Sequence, residues 1–341
     1  MAGASRLTRF GNDLYTGAKS FDFVGKRRWW YGIALVMLII AVAVPIMRGG
    51  LVFGIEFSGG SQFKVSSVQD TSQRLAEDAV RSVAPDATAH VTVVGTDVKS
   101  IQVQTELVTQ EETDAIRAAL ADSYGVPITD VSATFISGSW GADVSRQGII
   151  ALIVFVALAA IFMAIYFRTW KMSIAAIVTL LHDLVITIGV YGVFGFEITP
   201  SAVIGFLTIL GYSLYDTVVV FDKVRENTKE DAADTVRTFP ESVNLAVNQT
   251  LVRSINTGVV AVLPVGAILW IGALFLGAGT LRDIALALFI GIIVGTYSTV
   301  FLGAPFYSQM REGEPKIRKH TERVLALRAK AKPIEADATV E

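Results

Sequence analysis

A long apolar segment of this 341-residue chain ends in the sequence GYSLYDTVVVFDKVREN, residues 211–227. The run from Ser201 to Phe221 has the length and composition of a membrane helix, and the chain becomes charged from Asp222 onward. Asp216 therefore lies inside a membrane span, where a carboxylate is costly unless it is paired, hydrated or protonated. An ionisable residue in that position predicts a functional site.

A second charged residue, Arg253, follows in the sequence NQTLVRS, residues 248–254, where the next span is predicted to begin. A carboxylate on one membrane helix and an arginine on the next can pair, and such pairs occur in proton relays. Two other interpretations stay open. Asp216 and Arg253 form a static ion pair, or Arg253 extends from the cytoplasmic end of its helix to the lipid headgroups.

Composition places the chain among membrane proteins. It is 52% hydrophobic and only 18% charged, with a mean hydropathy of +0.53, whereas soluble domains carry about 25% charged residues. The net charge is -2 and no dense basic patch occurs outside the flanks of the apolar runs, so no nucleic-acid partner is predicted. Cysteine is absent, which excludes disulfides and cysteine metal sites. Without a phosphate loop, metal site or nucleophile–base arrangement, no enzyme, metal or cofactor is predicted.

Six membrane helices are predicted, at residues 29–47, 148–167, 173–194, 201–221, 254–276 and 282–307. We interpret the first as an uncleaved anchor. Basic residues concentrate in the segment 1–28, the turn 168–171, the loop 223–237 and the charged tail 308–341, whereas the turns 195–197 and 277–279 lack lysine and arginine. The positive-inside rule then places both termini in the cytoplasm. The tail is interpreted as a helical or disordered cytoplasmic extension.

The hydrophilic region 48–147 has a pattern of its own. Strands are predicted at 62–67, 89–94, 98–104 and 130–136, and helices at 71–83 and from a Thr109–Glu112 capping box to 123. A turn at 95–97 joins the second and third strands. The order β-α-β-β-α-β is the split βαβ, ferredoxin-like arrangement, so a small α+β domain outside the membrane is expected between helices 1 and 2. The alternative is a loosely structured loop.

Several further polar residues fall in or beside the spans. His182 and Asp183 lie inside the third span, where they could extend a proton wire or simply form hydrogen bonds between helices. Asp222 follows the apolar run of the fourth span, either as part of the site or on a solvated helix face.

Glycines mark two places where backbones are expected to be close. Gly54, Gly59 and Gly60 follow the first span, and they predict a tight turn or a hinge that carries motion to the external domain. Gly291 and Gly295 form a small-xxx-small face in the sixth span, which predicts close helix packing, against a partner.

The motif that begins at Gly211 and includes Asp216 and Asp222 resembles the fourth-helix signature of the SecF family, the smaller membrane subunits of the SecDF protein-export complex. Four other stretches resemble the family in the same order: FGIEFSGG (53–60), LHD (181–183), NQTLVR (248–253) and RDIA through GIIVGTYS (282–298). The resemblance extends over about residues 21–307. It departs from the family at Tyr215, where asparagine is usual.

The resemblance implies half of an RND-type transporter, with SecD as the other half, in the bacterial cytoplasmic membrane. It implies a position in the lipid bilayer beside the SecYEG channel and a role in pulling a translocating polypeptide outward with the proton gradient. By position, Asp216 and Arg253 match the family's charged residues on helices 4 and 5. The coupling ion is then a proton, with sodium left open. The alternatives are half of an RND-type small-molecule exporter and a structural scaffold of the translocon.

Overall fold

The computed structural model describes residues 6–94, 99–234, 237–271 and 279–337. Its helices are α1 (Arg6–Thr16), α2 (Arg27–Met47), α3 (Ile55–Ser58), α4 (Gln73–Val83), α5 (Gln110–Tyr124), α6 (Gly138–Phe167), α7 (Trp170–Phe194), α8 (Pro200–Asp234), α9 (Phe239–Ile271), α10 (Gly279–Ser298), α11 (Ala304–Glu312) and α12 (Pro315–Asp337). A π-helical turn, Thr299–Gly303, joins α10 to α11.

Six helical segments in the described residues are long and apolar enough to cross a membrane: α2, α6, α7, α8, α9 and the continuous α10–α11. The expectation of six spans is confirmed. Between 44% and 61% of the most apolar part of α7, α8 and α10–α11 is buried, against 11–17% for α2, α6 and α9. Helices α7, α8 and α10–α11 therefore form the centre of the bundle, whereas α2, α6 and α9 present apolar side chains outward.

A four-stranded antiparallel sheet forms the small domain between the first and second membrane helices. Its strands are β1 (Gly60–Val65), β2 (His90–Val94), β3 (Ser100–Thr105) and β4 (Val131–Ile136), in the order β2-β3-β1-β4. The element order β-α-β-β-α-β is confirmed, and each βαβ unit has a strand of the other unit between its own two strands. The predicted turn at 95–97 lies outside the described residues.

The core of this domain follows from the alternation of side chains along its strands. On β1, Phe63 and Val65 are fully buried while Gln62 and Lys64 are half-buried, because successive residues of a strand face opposite sides. Residues from α4, α5, β3 and β4 complete the same apolar cluster. The predicted capping box is present at the start of α5, where Thr109 and Glu112 bond each other's backbone amides.

Two membrane helices begin earlier than the apolar runs predict. α6 begins at Gly138 and α9 at Phe239, whereas the runs begin at 148 and 254. The added turns carry polar side chains but continue the helical backbone. The N-terminal turns of α9 pack against α1, an amphipathic helix that the hydropathy pattern did not predict and whose Leu14 is fully buried. Of the predicted turn 277–279, only Gly279 lies within the described residues, at the start of α10.

The segment between α1 and α2 is held by two asparagines of α9. The Asn248 side chain accepts from the Phe21 amide at 2.7 Å and donates to the Phe21 carbonyl at 2.9 Å. The Asn244 side chain accepts from the Phe23 amide at 2.8 Å. The asparagine that opens the NQTLVR motif therefore has a structural role, because it supplies hydrogen bonds to a segment without secondary structure.

Candidate functional site

Two buried carboxylates lie in the middle of the helix bundle. Asp183 on α7 is fully buried and Asp216 on α8 is 4% exposed. The surrounding polar side chains are small hydroxyls that are themselves buried, namely Thr179, Thr187, Ser213, Thr217, Ser254, Ser298 and Thr299. Polar groups inside a membrane domain are expensive and mark functional positions when they converge in this way.

Asp216 has one side-chain partner. The Ser254 hydroxyl of α9 donates a hydrogen bond to Asp216 Oδ1 at 2.9 Å. The other carboxylate oxygen, Oδ2, is buried and has no hydrogen-bond partner among the described residues. A buried carboxylate with one satisfied oxygen is costly in its ionised form, and protonation of the free oxygen lowers that cost because it removes the charge.

Arg253 does not pair with Asp216 in this structure. It is exposed on α9, and its guanidinium donates to the Tyr215 hydroxyl at 3.3 Å. Adjacent residues of a helix point about 100° apart, so Ser254 and Arg253 cannot both face Asp216. The expected ion pair is therefore replaced by the serine–aspartate hydrogen bond. Tyr215 is the residue that contacts Arg253.

The His182–Asp183 pair is connected to the motif on α8. His182 Nδ1 lies 3.2 Å from Asp183 Oδ1, and the Ser213 hydroxyl donates to Asp183 Oδ2 at 2.5 Å. Ser213 precedes Asp216 by three residues, so both face the same side of α8. Ser213 was not predicted as a site residue, although its three-residue spacing from Asp216 could have indicated it.

A π-helical turn lies beside this polar layer. Thr299, its first residue, is hydrogen-bonded through its hydroxyl to that of Thr217 on α8, with the oxygens 3.1 Å apart. Single π-helical turns inside α-helices occur frequently at functional sites. Here the turn brings a buried hydroxyl of the sixth span to the residue that follows Asp216.

The glycines of the sixth span allow helices of the same chain to approach. A Cβ added at Gly291 would lie 2.3 Å from Ile209 Cγ1, and one at Gly295 would lie 3.3 Å from Ser213 Cβ. Both glycines thus pack against α8 rather than against a partner chain. Gly295 also lies beside Asp183, because its added Cβ would be 3.6 Å from Oδ2.

The glycines after the first span form a tight junction. Gly59 and Gly60 have φ of +74° and +140°, and an added Cβ would meet Gly138 Cα at 2.7 Å or the Thr105 carbonyl oxygen at 2.4 Å. Only glycine fits these two positions. The junction joins the start of β1 to the end of β3 and the start of α6. Whether it moves as a hinge stays a prediction.

A further contact joins the small domain to the bundle at Glu197, in the turn between α7 and α8. The Gln104 side-chain amide of β3 donates a hydrogen bond to the Glu197 carboxylate. Nearby, the Gly54 amide donates to the Ile198 carbonyl at 2.9 Å and the Ile198 amide to the Val52 carbonyl at 2.8 Å. Burial raises the pKa of Glu197, the Gln104 hydrogen bond opposes this, and the neighbouring Glu56 adds to it. No pattern in the sequence indicated this contact.

A row of exposed polar and small residues crosses the membrane face of α8 and α9. Thr208, Gly211 and Tyr215 lie on one side of α8, and Arg253 and Asn256 are exposed on α9. Tyr215 is 56% exposed, and an added Cβ at Gly211 would meet no atom within 4 Å. Lipid tails provide no hydrogen-bond partner for an arginine or an asparagine side chain, so this row, the α8–α9 face, is a candidate contact surface for a polar partner.

Asp222 is exposed one turn beyond this face. Together with Lys223, Glu226 and Arg253 it lines an open polar groove of about 360 Å³. Within the described residues, no group of three or more histidine, cysteine, aspartate or glutamate side chains could hold a metal ion.

The fold and its buried carboxylates define a multi-span membrane protein that carries a small α+β domain between its first two spans. Residues 116–313 match the family described as protein export membrane protein SecD/SecF, C-terminal. The chain is 41% identical over 333 residues to the protein translocase subunit SecF of Mycobacterium tuberculosis strain H37Rv, with 95% of this chain and 74% of that protein covered. It is 40% identical over 334 residues to the SecF of Streptomyces coelicolor, with 95% and 86% covered.

A solved structure agrees with these relatives. The crystal structure of SecDF, a translocon-associated membrane protein from Thermus thermophilus, superposes with a TM-score of 0.73 at 27% sequence identity. The match covers 86% of this chain and 39% of that one. The chain belongs to the SecD/SecF family, in its SecF branch of protein translocase subunits. It is thus a multi-pass membrane subunit of protein export and not an enzyme.

Proposed function

We propose that this chain is the SecF half of a SecDF complex, in which proton movement through Asp216 assists protein translocation across the cytoplasmic membrane. The observation that carries the proposal is the buried Asp216 carboxylate, with one oxygen bonded to Ser254 and the other without a partner. The protonation state of such a group depends on the burial, charges and hydrogen bonds around it, so it responds when these change.

The α8–α9 face is the proposed contact with SecD. Relatives that are named SecDF are longer chains, of which this one matches 37–39%. A SecD chain that covers Tyr215 and Arg253 would supply the polar partner that these residues lack towards lipid. Asp216 lies one residue from Tyr215, so the partner would also change the environment of the carboxylate.

Coupling follows from linkage between protonation and conformation. If Asp216 is bonded to Ser254 in one state and approaches Arg253 or the partner in another, its proton affinity differs between the states. Proton binding then shifts the population toward the state that holds the proton more tightly. One elementary charge that crosses 100 mV supplies about 2.3 kcal/mol. His182, Asp183 and Ser213 extend this polar layer across α7 and are proposed to carry the proton further.

The conformational change of the helix bundle would be transmitted to the small domain. Gly54, Gly59 and Gly60 connect it to the first span, and Gln104 and Glu197 connect it to the turn between α7 and α8. Basic residues at both termini support a cytoplasmic location for them and an external location for the domain. An external domain beside the SecYEG channel would meet the translocating polypeptide there.

The test is an export assay in membrane vesicles that contain the complete complex with Asp216→Asn, with and without a proton gradient. We expect the gradient-stimulated part of export to disappear while assembly and gradient-independent export persist. Asp143→Asn is the matched control, because Asp143 is exposed at the start of α6. A full response of Asp216→Asn to the gradient would exclude proton coupling at this residue and would favour the scaffold function.

A further inference from the structure

A polar pocket of about 720 Å³ lies at the end of the bundle where α2 and α9 begin. Its walls come from the segment between α1 and α2, the first turns of α2 and α9, the end of α11, and α12. Three of these elements are ends of membrane spans, namely the start of α2, the start of α9 and the end of α11. The pocket therefore lies where the spans leave the hydrocarbon, at the level of the lipid headgroups.

Arginine is the main charged residue of this pocket. Its lining includes Arg27, Arg28, Arg237 and Arg328. Two of them already have carboxylate partners. Arg27 forms an ion pair with Glu312 of α11, and Arg328 of α12 donates hydrogen bonds to both oxygens of Glu241 at 2.7 and 2.8 Å. These pairs hold α2, α9, α11 and α12 around the pocket.

Arg28 is available to a ligand. It is exposed, and its guanidinium forms no ion pair or hydrogen bond within the part of the chain that the structure describes. The remaining acidic residue of the lining is Asp22, whose carboxylate accepts from the Gly25 amide at 2.7 Å. The lining thus has one more arginine than carboxylates. Because a guanidinium matches the geometry of phosphate oxygens, an anionic phosphate group suits this pocket.

An apolar groove of about 480 Å³ begins at the same arginine. Arg28 lines the groove as well as the pocket, and the groove continues along α2 to Met37. Nine residues of helix rise about 13 Å, which is close to the roughly 15 Å of hydrocarbon in one leaflet. Gly32 opens the middle of the groove, since an added Cβ there would meet no atom within 4 Å. Trp29, which is 76% exposed, lies at its headgroup end, where interfacial tryptophans occur.

The continuity of the two cavities identifies the class of ligand. Every apolar surface of a membrane protein contacts acyl chains, so the groove alone selects nothing, and the pocket alone would accept any small anion. We propose that the pocket and the groove together bind one anionic phospholipid, with its phosphate at Arg28 and an acyl chain along Gly32. A zwitterionic lipid fits less well, because its ammonium group would meet the arginines of the pocket.

The bound lipid would connect parts of the protein that are distant in sequence. Its headgroup would lie against the start of the first span, the start of the fifth and the end of the sixth. It would thereby stabilise the packing of these three spans at one end of the bundle. Asp216 lines neither cavity, so the proposal does not depend on proton coupling at that residue.

The test uses the complete complex, purified in detergent and freed of lipid, with native mass spectrometry to count added phosphatidylglycerol or phosphatidylcholine. We expect one phosphatidylglycerol to bind in preference to phosphatidylcholine. Arg28→Gln should weaken its binding about tenfold or more, because a charge-assisted hydrogen bond is lost. Lys26→Gln is the matched control, since Lys26 is exposed two residues away and lines neither cavity. Its effect should stay within about twofold at physiological salt, which screens exposed charges.

A second pair of variants tests the groove. Gly32→Phe fills it and should weaken phosphatidylglycerol binding about fivefold or more. Ile39→Phe, at an exposed position of α2 outside the groove, should leave binding unchanged. The lipid-free melting temperature should be the same in all four variants, because none of these residues is buried.

Three outcomes would overturn the proposal. Equal losses of binding in Arg28→Gln and Lys26→Gln would indicate attraction by surface charge alone. A loss in Arg28→Gln without any loss in Gly32→Phe would show a plain anion site, as would full displacement of the lipid by inorganic phosphate. Equal binding of phosphatidylcholine would show that the arginines do not select the headgroup.

Discussion

Gln104, on the third strand of the small domain, donates a hydrogen bond to Glu197, in the turn between two central membrane helices. The two residues are 93 positions apart in the chain. Their bond, together with the backbone bonds between Ile198 and residues 52 and 54, fixes the small domain on the bundle. A carboxylate at this junction makes the attachment of the domain sensitive to its charge.

The first prediction concerns the pH dependence of this attachment. Burial raises the pKa of Glu197 above its ordinary 4.5, so the docked state binds the proton more tightly than an undocked one. Docking should therefore strengthen as the pH falls from neutrality through the raised pKa, and gain nothing more below 4.5. Glu197→Gln should remove this dependence and tighten docking at neutral pH. The measurement is the hydrogen-exchange protection of the Gly54 and Ile198 amides. A pH trend that is unchanged in Glu197→Gln would contradict the prediction.

The second prediction concerns Ser254. Ser254→Ala leaves both oxygens of Asp216 without a protein partner, which should cost about 1–3 kcal/mol of folding stability. Gradient-stimulated export should fall as well, because the Ser254 hydrogen bond is present in only one of the two proposed states of Asp216. Melting temperature and export are measured in parallel. Ser242→Ala is the control, since the Ser242 hydroxyl is equally buried on α9 but bonds only the Thr238 carbonyl, at 3.1 Å. An export loss as large in the control would argue against a specific role for Ser254.

The third prediction concerns the contact between α8 and α10. Gly291→Ala would place a methyl group 2.3 Å from Ile209, whose side chain is fully buried, and should destabilise the protein by about 1–3 kcal/mol. Gly32→Ala, on α2, meets no atom within 4 Å and should be neutral or stabilising by up to about 1 kcal/mol. Thermal unfolding in detergent compares the two. Equal melting temperatures would mean that α8 and α10 are less tightly packed than described.

The fourth prediction concerns the N-terminal segment. Asn248→Ala removes two hydrogen bonds to the backbone of Phe21 and should loosen the contact of residues 17–22 with α9, while Asn244 still bonds the Phe23 amide. Limited proteolysis should then cleave this segment faster. Asn256→Ala, two turns further along the same helix at an exposed position, should leave the cleavage rate unchanged. Resistance of both variants to cleavage would show that other contacts hold the segment.

Apolar runs and strand alternation predicted most of the fold. The six spans and the order of the small domain follow from hydropathy and period, because burial in lipid or in a core imposes both. The early starts of α6 and α9 could not be predicted from hydropathy, because the added turns are polar and are stabilised by packing. α1 was missed for the same reason, although Leu7, Phe10 and Leu14 recur at helical spacing.

The residues of the candidate site could be singled out from the sequence, but the contacts that they make could not. Asp216 could be singled out from the sequence because a charged residue inside an apolar helix is energetically costly. Its partner could not, because Arg253 and Ser254 are adjacent and the sequence does not fix the rotation of α9 about its axis. Ser213 and Gln104 are ordinary polar residues whose importance arises only from what the fold places opposite them.

The hold of α9 on residues 21–24 has a consequence for biogenesis. Phe21 and Asn248 are 227 positions apart, so the segment before the first span cannot reach its final place until the fifth span has been made. Until then the amphipathic α1 lacks the surface of α9 against which it packs, and its apolar side would rest on lipid at the membrane surface. Insertion of this protein would thus position the segment that precedes the first span only after the fifth span has been made.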